Sequence, residues 1–238
     1  MEIKPIAYFH SPFPTKFGVP RQAGLARSLR GKIVFEPAFR SREAVRGLED
    51  FEYLWLIWGF SANVKEDRPG KEPSDKTSFK ATVRPPRLGG NERVGVFASR
   101  SPFRPNPLGL SSVKLVSVDH DARDAYGKPC GPVIEVEGAD LMDMTPVYDI
   151  KPYVEYADSH PGVRSGFVDT HDKKTLEVLF PPEAYSSGLD LAVLSEVLSL
   201  DPRPSYHDDP SKVYGMYFGG HEVKFRVEGN VLKVEGIE

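Results

Sequence analysis

The chain has 238 residues, 39% of them hydrophobic and 27% charged, with a formal net charge of -3. That is the balance of a globular protein, long enough for one large domain or a main domain with a small one. No apolar run is long enough to span a membrane, the start MEIKPIAYFHSPFP lacks the zones of a secretion signal, and the single cysteine, Cys130, leaves no disulfide framework, so the expectation is a cytoplasmic protein.

In chain order, EIKPIAYFHS opens as a strand that breaks at SPFP, and KFGVPRQAGL sets Arg21 and Gln22 behind Pro20 in a loop. GKIVFEP is the next strand, and SREAVRGLEDF is expected to form a short helix with Ser41 as N-cap. YLWLIWGF is an exceptionally apolar strand with Trp55 and Trp58 on opposite faces. A barrel interior accepts one face; the other needs cover from a second protomer, the short helix or the C-terminal part. Residues 61 to 78 are polar, without periodicity, and read as an exposed loop. RVGVFAS, LSSVKLVSVD and PVIEVEG are further strands.

Between them lies RSPFRPNPLGL, whose prolines fix φ and remove competing donors around Arg100, Ser101, Arg104 and Asn106. ADLMDMTPVYDIKPY follows the last of these strands as a third polar loop, with Asp140, Asp143, Thr145, Asp149, Lys151 and Tyr153. Rigid loops crowded with charge suit a binding site, because preorganisation lowers the ordering cost of holding a ligand.

The pattern lapses over residues 156 to 172, read as a linker. KTLEVLF then reads as a strand and SGLDLAVLSEVLSL as a helix, with Leu189, Val193, Val197 and Leu200 on one stripe widened by Leu191, Leu194 and Leu198. VYGMYFG, EVKFRVE and VLKVEG are strands, the last two joined by a Gly229-Asn230 hairpin signal. The fold class expected is mainly β: a small antiparallel barrel over residues 1–157, then a small α+β domain over 158–238.

The charge is unevenly divided. Residues 1 to 104 hold 19 Lys and Arg against 11 Asp and Glu; residues 105 to 238 hold 12 against 23. From 76 to 104 the chain carries Lys76, Lys80, Arg84, Arg87, Arg93, Arg100 and Arg104 against Glu92 alone, a composition suited either to a phosphate-facing surface or to a solvated face. Other chemistry is poorly represented. There is no P-loop, RLGGNERVG does not make a dinucleotide fingerprint, and the six histidines show no metal-ligand spacing. DHDARD reads as a polar turn, and no metal is expected.

The run PPRLGGNERVGVFASRSPFRPNPLGLS resembles the signature of the TsaA-like, or TrmO, family, S-adenosylmethionine-dependent tRNA methyltransferases built on a small β-barrel. FGVPRQAGL, GLEDFEYLWLIWGF, DMTPVYDIKPY and DPRPSY resemble family segments in the same order. The resemblance implies methyl transfer from S-adenosyl-L-methionine to N6 of the adenosine 3′ of a tRNA anticodon, usually one already carrying a threonylcarbamoyl group. It also implies a homodimer with cofactor sites near the protomer contact. The implied cofactor residues are Pro20, Arg21, Gln22, Phe60, Ser61, Arg100, Leu110 and the turn Asp143, Met144, Thr145, Pro146.

Physical chemistry adds roles: Arg21 or Arg100 to clamp the cofactor carboxylate, Asp143 to accept from its diol or ammonium, Phe60 or Leu110 to pack on its adenine. Asp149 and Tyr153 are candidate acceptors of the N6 proton, and Lys151 a ligand for phosphate or the acyl carboxylate. Lys80, Arg84, Arg87 and Arg104 are the candidate RNA contacts, although Arg104 with Asn106 could instead face the site. Ser61 stands where many relatives have His, and Met144 where Gly is usual. Those departures keep open a cofactor-binding RNA-binding or sensing module without transfer, and a basic strip scattered in space would favour a methyltransferase of a small molecule or protein.

Overall fold

In the computed structural model, which describes residues 2–63, 80–85, 92–169, 175–204 and 209–238, the apolar alternation of the first two thirds folds into a closed six-stranded barrel. Its strands are β1 (Ala7–His10), β2 (Arg30–Phe35), β3 (Tyr53–Gly59), β6 (Leu108–Asp119), β7 (Val133–Glu137) and β8 (Thr145–Pro152), ordered β1-β2-β7-β6-β3-β8 and closed by β8 against β1. Every pairing in the barrel is antiparallel. Between β3 and β6 a small ribbon of β4 (Thr82–Val83) and β5 (Val94–Gly95) stands apart. Successive side chains point to opposite faces, so Leu54, Leu56 and Trp58 enter the core beside Phe9, Ile33, Val113, Ile134 and Val147. Trp55 and Ile57 face outward, half-buried.

Three sequence expectations need correction. SREAVRGLEDF is no α-helix: it forms two short 3-10 turns, Arg42–Val45 and Leu48–Asp50, separated by Gly47 at φ 79, and the Ser41 side chain accepts no capping hydrogen bond. A left-handed residue interrupts a helix, and glycine takes that conformation at little steric cost. RVGVFAS keeps strand character only at Val94–Gly95 before turning into a 3-10 turn over Val96–Ala98. The segment read as a third polar loop is largely β8, the strand that closes the barrel.

A second sheet follows, ordered β10 (Tyr214–Phe218), β11 (His221–Glu228), β12 (Val231–Ile237) and β9 (Glu177–Leu179), with β9 parallel to β12 and the others antiparallel. Gly229 and Asn230 join β11 to β12, as the hairpin signal predicts. Of the chain between barrel and sheet, α1 (Glu155–Asp158) and a 3-10 turn at Gly166–Val168 are regular. Helix α2 (Leu191–Ser199) starts where the Asp190 carboxylate accepts from the N–H groups of Ala192 at 3.0 Å and Val193 at 3.2 Å. Its most buried side chains are Leu194, Val197 and Leu198, which pack on Met216, Phe225 and Leu232. That core also takes in Phe13, Ala26 and Leu29 from the long β1–β2 connection.

Candidate functional site

The β1–β2 connection carries Pro20, Arg21 and Gln22. Arg21 donates through Nη2 to the carbonyl of Arg203 at 3.0 Å, and Gln22 donates its amide N–H to the carbonyl of Arg21. Arg100, on the proline-rich connection into β6, donates through Nη1 to the side-chain oxygen of Gln22. Two of the three polar segments singled out in the sequence thus meet at one end of the barrel. A guanidinium has five N–H donors, so both arginines keep donors for a carboxylate.

Beneath them lies Asp140, directly after β7. Its flanking residues Ala139 and Leu141 are core residues, and its carboxyl is enclosed. Ser111, 2% exposed, donates to Asp140 Oδ1 at 2.5 Å, and Trp58 Nε1 donates to Ser111 Oγ at 3.0 Å. The backbone N–H of Ala23 also donates to Asp140, and Arg100 acts on it across space. Burial pushes the Asp140 carboxyl above its usual range, against the opposing pull of these donors and of Arg100.

Phe60 packs edge-on against Trp58, ring centroids 4.4 Å apart, and its N–H bonds to the carbonyl of Pro107. Ser61 is exposed in the next turn. Leu110 lies on the outer face of β6 with 58% of its surface free, paired across from Ile57. Asp143 Oδ1 accepts from the Ser11 N–H at 3.1 Å and lies 3.3 Å from His10 Nδ1, and among the described residues Oδ2 has no such partner. Thr145 is buried, its hydroxyl donating to the carbonyl of Met142 at 2.7 Å, and Pro146 sits opposite Tyr8. Among the described residues, no hydrogen bond or ion pair joins the Asp143–Pro146 turn to Arg21 or Arg100.

Met144 has φ 58 and is 52% exposed. A side chain in the left-handed region is strained by about 1–2 kcal/mol, while a glycine there loses more chain entropy on folding. Met144→Gly is therefore expected to raise stability by up to about 1 kcal/mol. Thermal unfolding checks this; a lower midpoint than the parent rejects the strain.

On the outer face, pairing places Asp149 beside Ile57, Lys151 beside Trp55, whose other neighbour is Ser112, and the Tyr153 N–H on the carbonyl of Tyr53. Asp149 and Lys151 pair at 2.9 Å. The Tyr153 ring lies 5.7 Å from that of Trp55, in an open cleft of about 460 Å³ shared with Tyr53, Ser112, Asp158 and His160. Trp55 Nε1 and the Val154 N–H both donate to Asp158 Oδ2, which holds that carboxyl below its usual range. The outward face of β3 thus gains part of its cover from the start of the linker.

Of the basic strip, Lys80 and Arg84 are exposed beside the β4–β5 ribbon. Arg104 is turned inward: Nη1 donates to the carbonyls of Ser99 at 2.7 Å and Val96 at 3.2 Å, and its guanidinium stacks over Phe97. That guanidinium braces the proline loop. Arg87 and Lys76 lie outside the described residues. Among the described residues, no group of three or more His, Cys, Asp or Glu stands together as a metal site, and no helix is long and apolar enough to cross a membrane.

Sequence reasoning passed over the side chains of Asp140's network. Ser111 sits on an ordinary strand, and nothing local marks it as a partner of a carboxylate 29 positions later.

Comparison with known proteins covers almost the whole chain. The family model of the tRNA-methyltransferase O N-terminal domain matches residues 8–159, and that of the TrmO C-terminal domain matches residues 173–238. The chain is 34% identical over 247 residues to the "tRNA (adenine(37)-N6)-methyltransferase" of Escherichia coli K12, covering 100% of this chain and 97% of that protein. It is 36% identical over 224 residues to the "Putative S-adenosylmethionine-dependent methyltransferase RcsF" of Pseudomonas aeruginosa PAO1, with 90% and 87% covered. Among solved structures, TrmO from Pseudomonas aeruginosa superposes with a TM-score of 0.74 at 27% identity, over 100% of this chain and 98% of that one.

Proposed function

The chain belongs to the tRNA-methyltransferase O family, and from that premise we propose that it methylates N6 of adenosine 37 of tRNA, using S-adenosylmethionine. The observation that carries the reading is the hydrogen bond between Arg100 and Gln22, which joins two of the segments expected to hold the cofactor. The fit is chemical as well as positional. Spare guanidinium N–H groups on Arg21 and Arg100 suit a carboxylate, the free oxygen of Asp143 suits an ammonium or a diol, and Phe60 offers an apolar wall. The cofactor supplies an activated sulfonium methyl. The protein's part is to hold N6 in line with it and exclude other alignments, because orientation of the reacting atoms carries much of such a transfer.

As the N6–methyl bond forms, the N6 proton has to leave. Asp149 and Tyr153 stand on the outer face as acceptors, with Lys151 beside Asp149 to meet a phosphate or an acyl carboxylate. Lys80, Arg84, Arg87 and Arg104 are assigned to the RNA backbone, and Nη1 of Arg104 also holds the loop that presents Arg100. We further assign the protein to the cytoplasm and to a homodimer, whose contact would cover exposed Leu110, Phe103 and Phe97. Residues 1–157 then form the methyltransferase unit and 158–238 an accessory unit that reaches the cofactor loop through Arg203.

The test is transfer of a labelled methyl group onto total tRNA, with and without prior threonylcarbamoylation. Incorporation at adenosine 37 is the expected result, and dependence on the acyl group identifies the substrate. Cofactor binding without incorporation into any tRNA would replace the enzyme by a sensing module.

A further inference from the structure

We infer that Asp140 is the positioning residue of the cofactor arm: its carboxylate fastens the Arg21–Ala23 loop and Arg100 to the barrel, so that their remaining donors meet the cofactor. This rests on the reading of Arg21, Gln22 and Arg100 as cofactor residues, and it assigns work to a group outside the reacting set.

The geometry asks for a carboxylate at this place. Ser111 donates from below, at 2.5 Å, and its own oxygen accepts the Trp58 indole N–H, so the hydroxyl hydrogen points one way, toward Asp140. The Ala23 N–H donates from the side, and Arg100 is the charged group that acts on Asp140. The polar groups that act on the side chain are hydrogen-bond donors and one cation. An ionised carboxylate is acceptor-only and satisfies all of them; an amide would turn an NH2 group toward another donor. A fourth tie, Gly24 N–H to the carbonyl of Gly138 at 2.8 Å, holds the same loop beside the same segment. The two arms come from separate stretches of the sequence; Asp140 accepts a hydrogen bond from one, at Ala23, and attracts Arg100 of the other through its charge.

Burial lifts the Asp140 carboxyl, so it takes a proton at higher pH than an ordinary Asp. As pH falls through that raised range, the charge that attracts Arg100 is lost and the arm loosens. His10, beside Asp143, is present in both parent and variant, so its contribution cancels in their comparison.

The experiment measures cofactor Kd by calorimetry, together with KM for tRNA and kcat at saturating cofactor, for the parent, Asp140→Asn, Asp140→Glu and Ser111→Ala. Charge-assisted bonds of this kind correspond to a loss of roughly 10- to 100-fold in cofactor affinity for Asp140→Asn. The tRNA KM and the saturated kcat should stay within about twofold, since the group touches neither reacting atom. In the parent, Kd should rise on acidification; in Asp140→Asn it should stay flatter, and Asp140→Glu should restore part of the slope. An Asp140→Asn variant with parental Kd and parental pH profile overturns the inference. If Asp140→Asn fails to fold, Ser111→Ala decides: weaker cofactor binding at an intact fold supports the inference, and unchanged binding overturns it. A parent protein that binds no cofactor would instead reject the functional reading beneath it.

Discussion

Gly109→Ala is expected to lower the unfolding midpoint by several degrees. Gly109 pairs with Trp58 across β3 and β6, and a Cβ added there would stand 2.2 Å from the indole ring. The ring is held on its polar edge by Ser111 and packs against Phe60, which limits its retreat. Overpacking of this kind costs about 1–3 kcal/mol, and a chain of this size shifts by roughly 2–4 °C for each. Gly236→Ala on β12 is the control, since a Cβ there meets nothing within 4 Å. Equal midpoints for the two variants would show that Trp58 yields without strain. Because Trp58 leads through Ser111 to Asp140, the Gly109 variant should also bind cofactor more weakly than the control.

Arg100→Ala should weaken cofactor binding by roughly 10- to 100-fold, the range of a lost charge-assisted bond, while Lys80→Ala and Arg84→Ala leave it near the parental value. The latter two should instead weaken RNA binding and each reduce its salt dependence by about one counterion. The separation follows from placement: Arg100 is bonded to Gln22 at the barrel end, whereas Lys80 and Arg84 stand exposed beside the β4–β5 ribbon. Titrations of cofactor and of tRNA at several salt concentrations distinguish the classes. Equal loss of cofactor affinity in all three variants would merge the two surfaces into one.

Most barrel strands were legible because their apolar and β-branched residues alternate between turn signals. β8 was not, since Pro146, Asp149, Lys151 and Pro152 give it the composition of a loop. It forms a strand because β1 and β3 flank it on both sides, a relation that no local window contains. The apparent helix after β2 failed at Gly47, whose left-handed backbone overrode the periodicity around it. At the site, motif resemblance pointed to Arg100 and Gln22, but the pairing between them appears only in three dimensions. Arg104 shows another such relation: its Nη1 donates to two carbonyls of its own loop, which its charge alone did not indicate.

The β1–β2 connection is anchored in the second core by Phe13 before Pro20, Arg21 and Gln22 and by Ala26 and Leu29 after them, and Arg21 reaches the carbonyl of Arg203. Arg203 is itself clasped by Asp201 through two bonds of 2.8 and 2.9 Å. The loop proposed to hold the cofactor is therefore hemmed into a sheet that lies in the last third of the chain. Occupancy and unfolding of that distant sheet become linked quantities. A ligand at one hundred times its Kd stabilises whatever must be folded to bind it by about 2.7 kcal/mol, and here that includes β10 to β12. Amide hydrogens of those strands should exchange more slowly when the cofactor is bound, and a chain cut before the sheet would lose the grip on its own ligand along with the sheet.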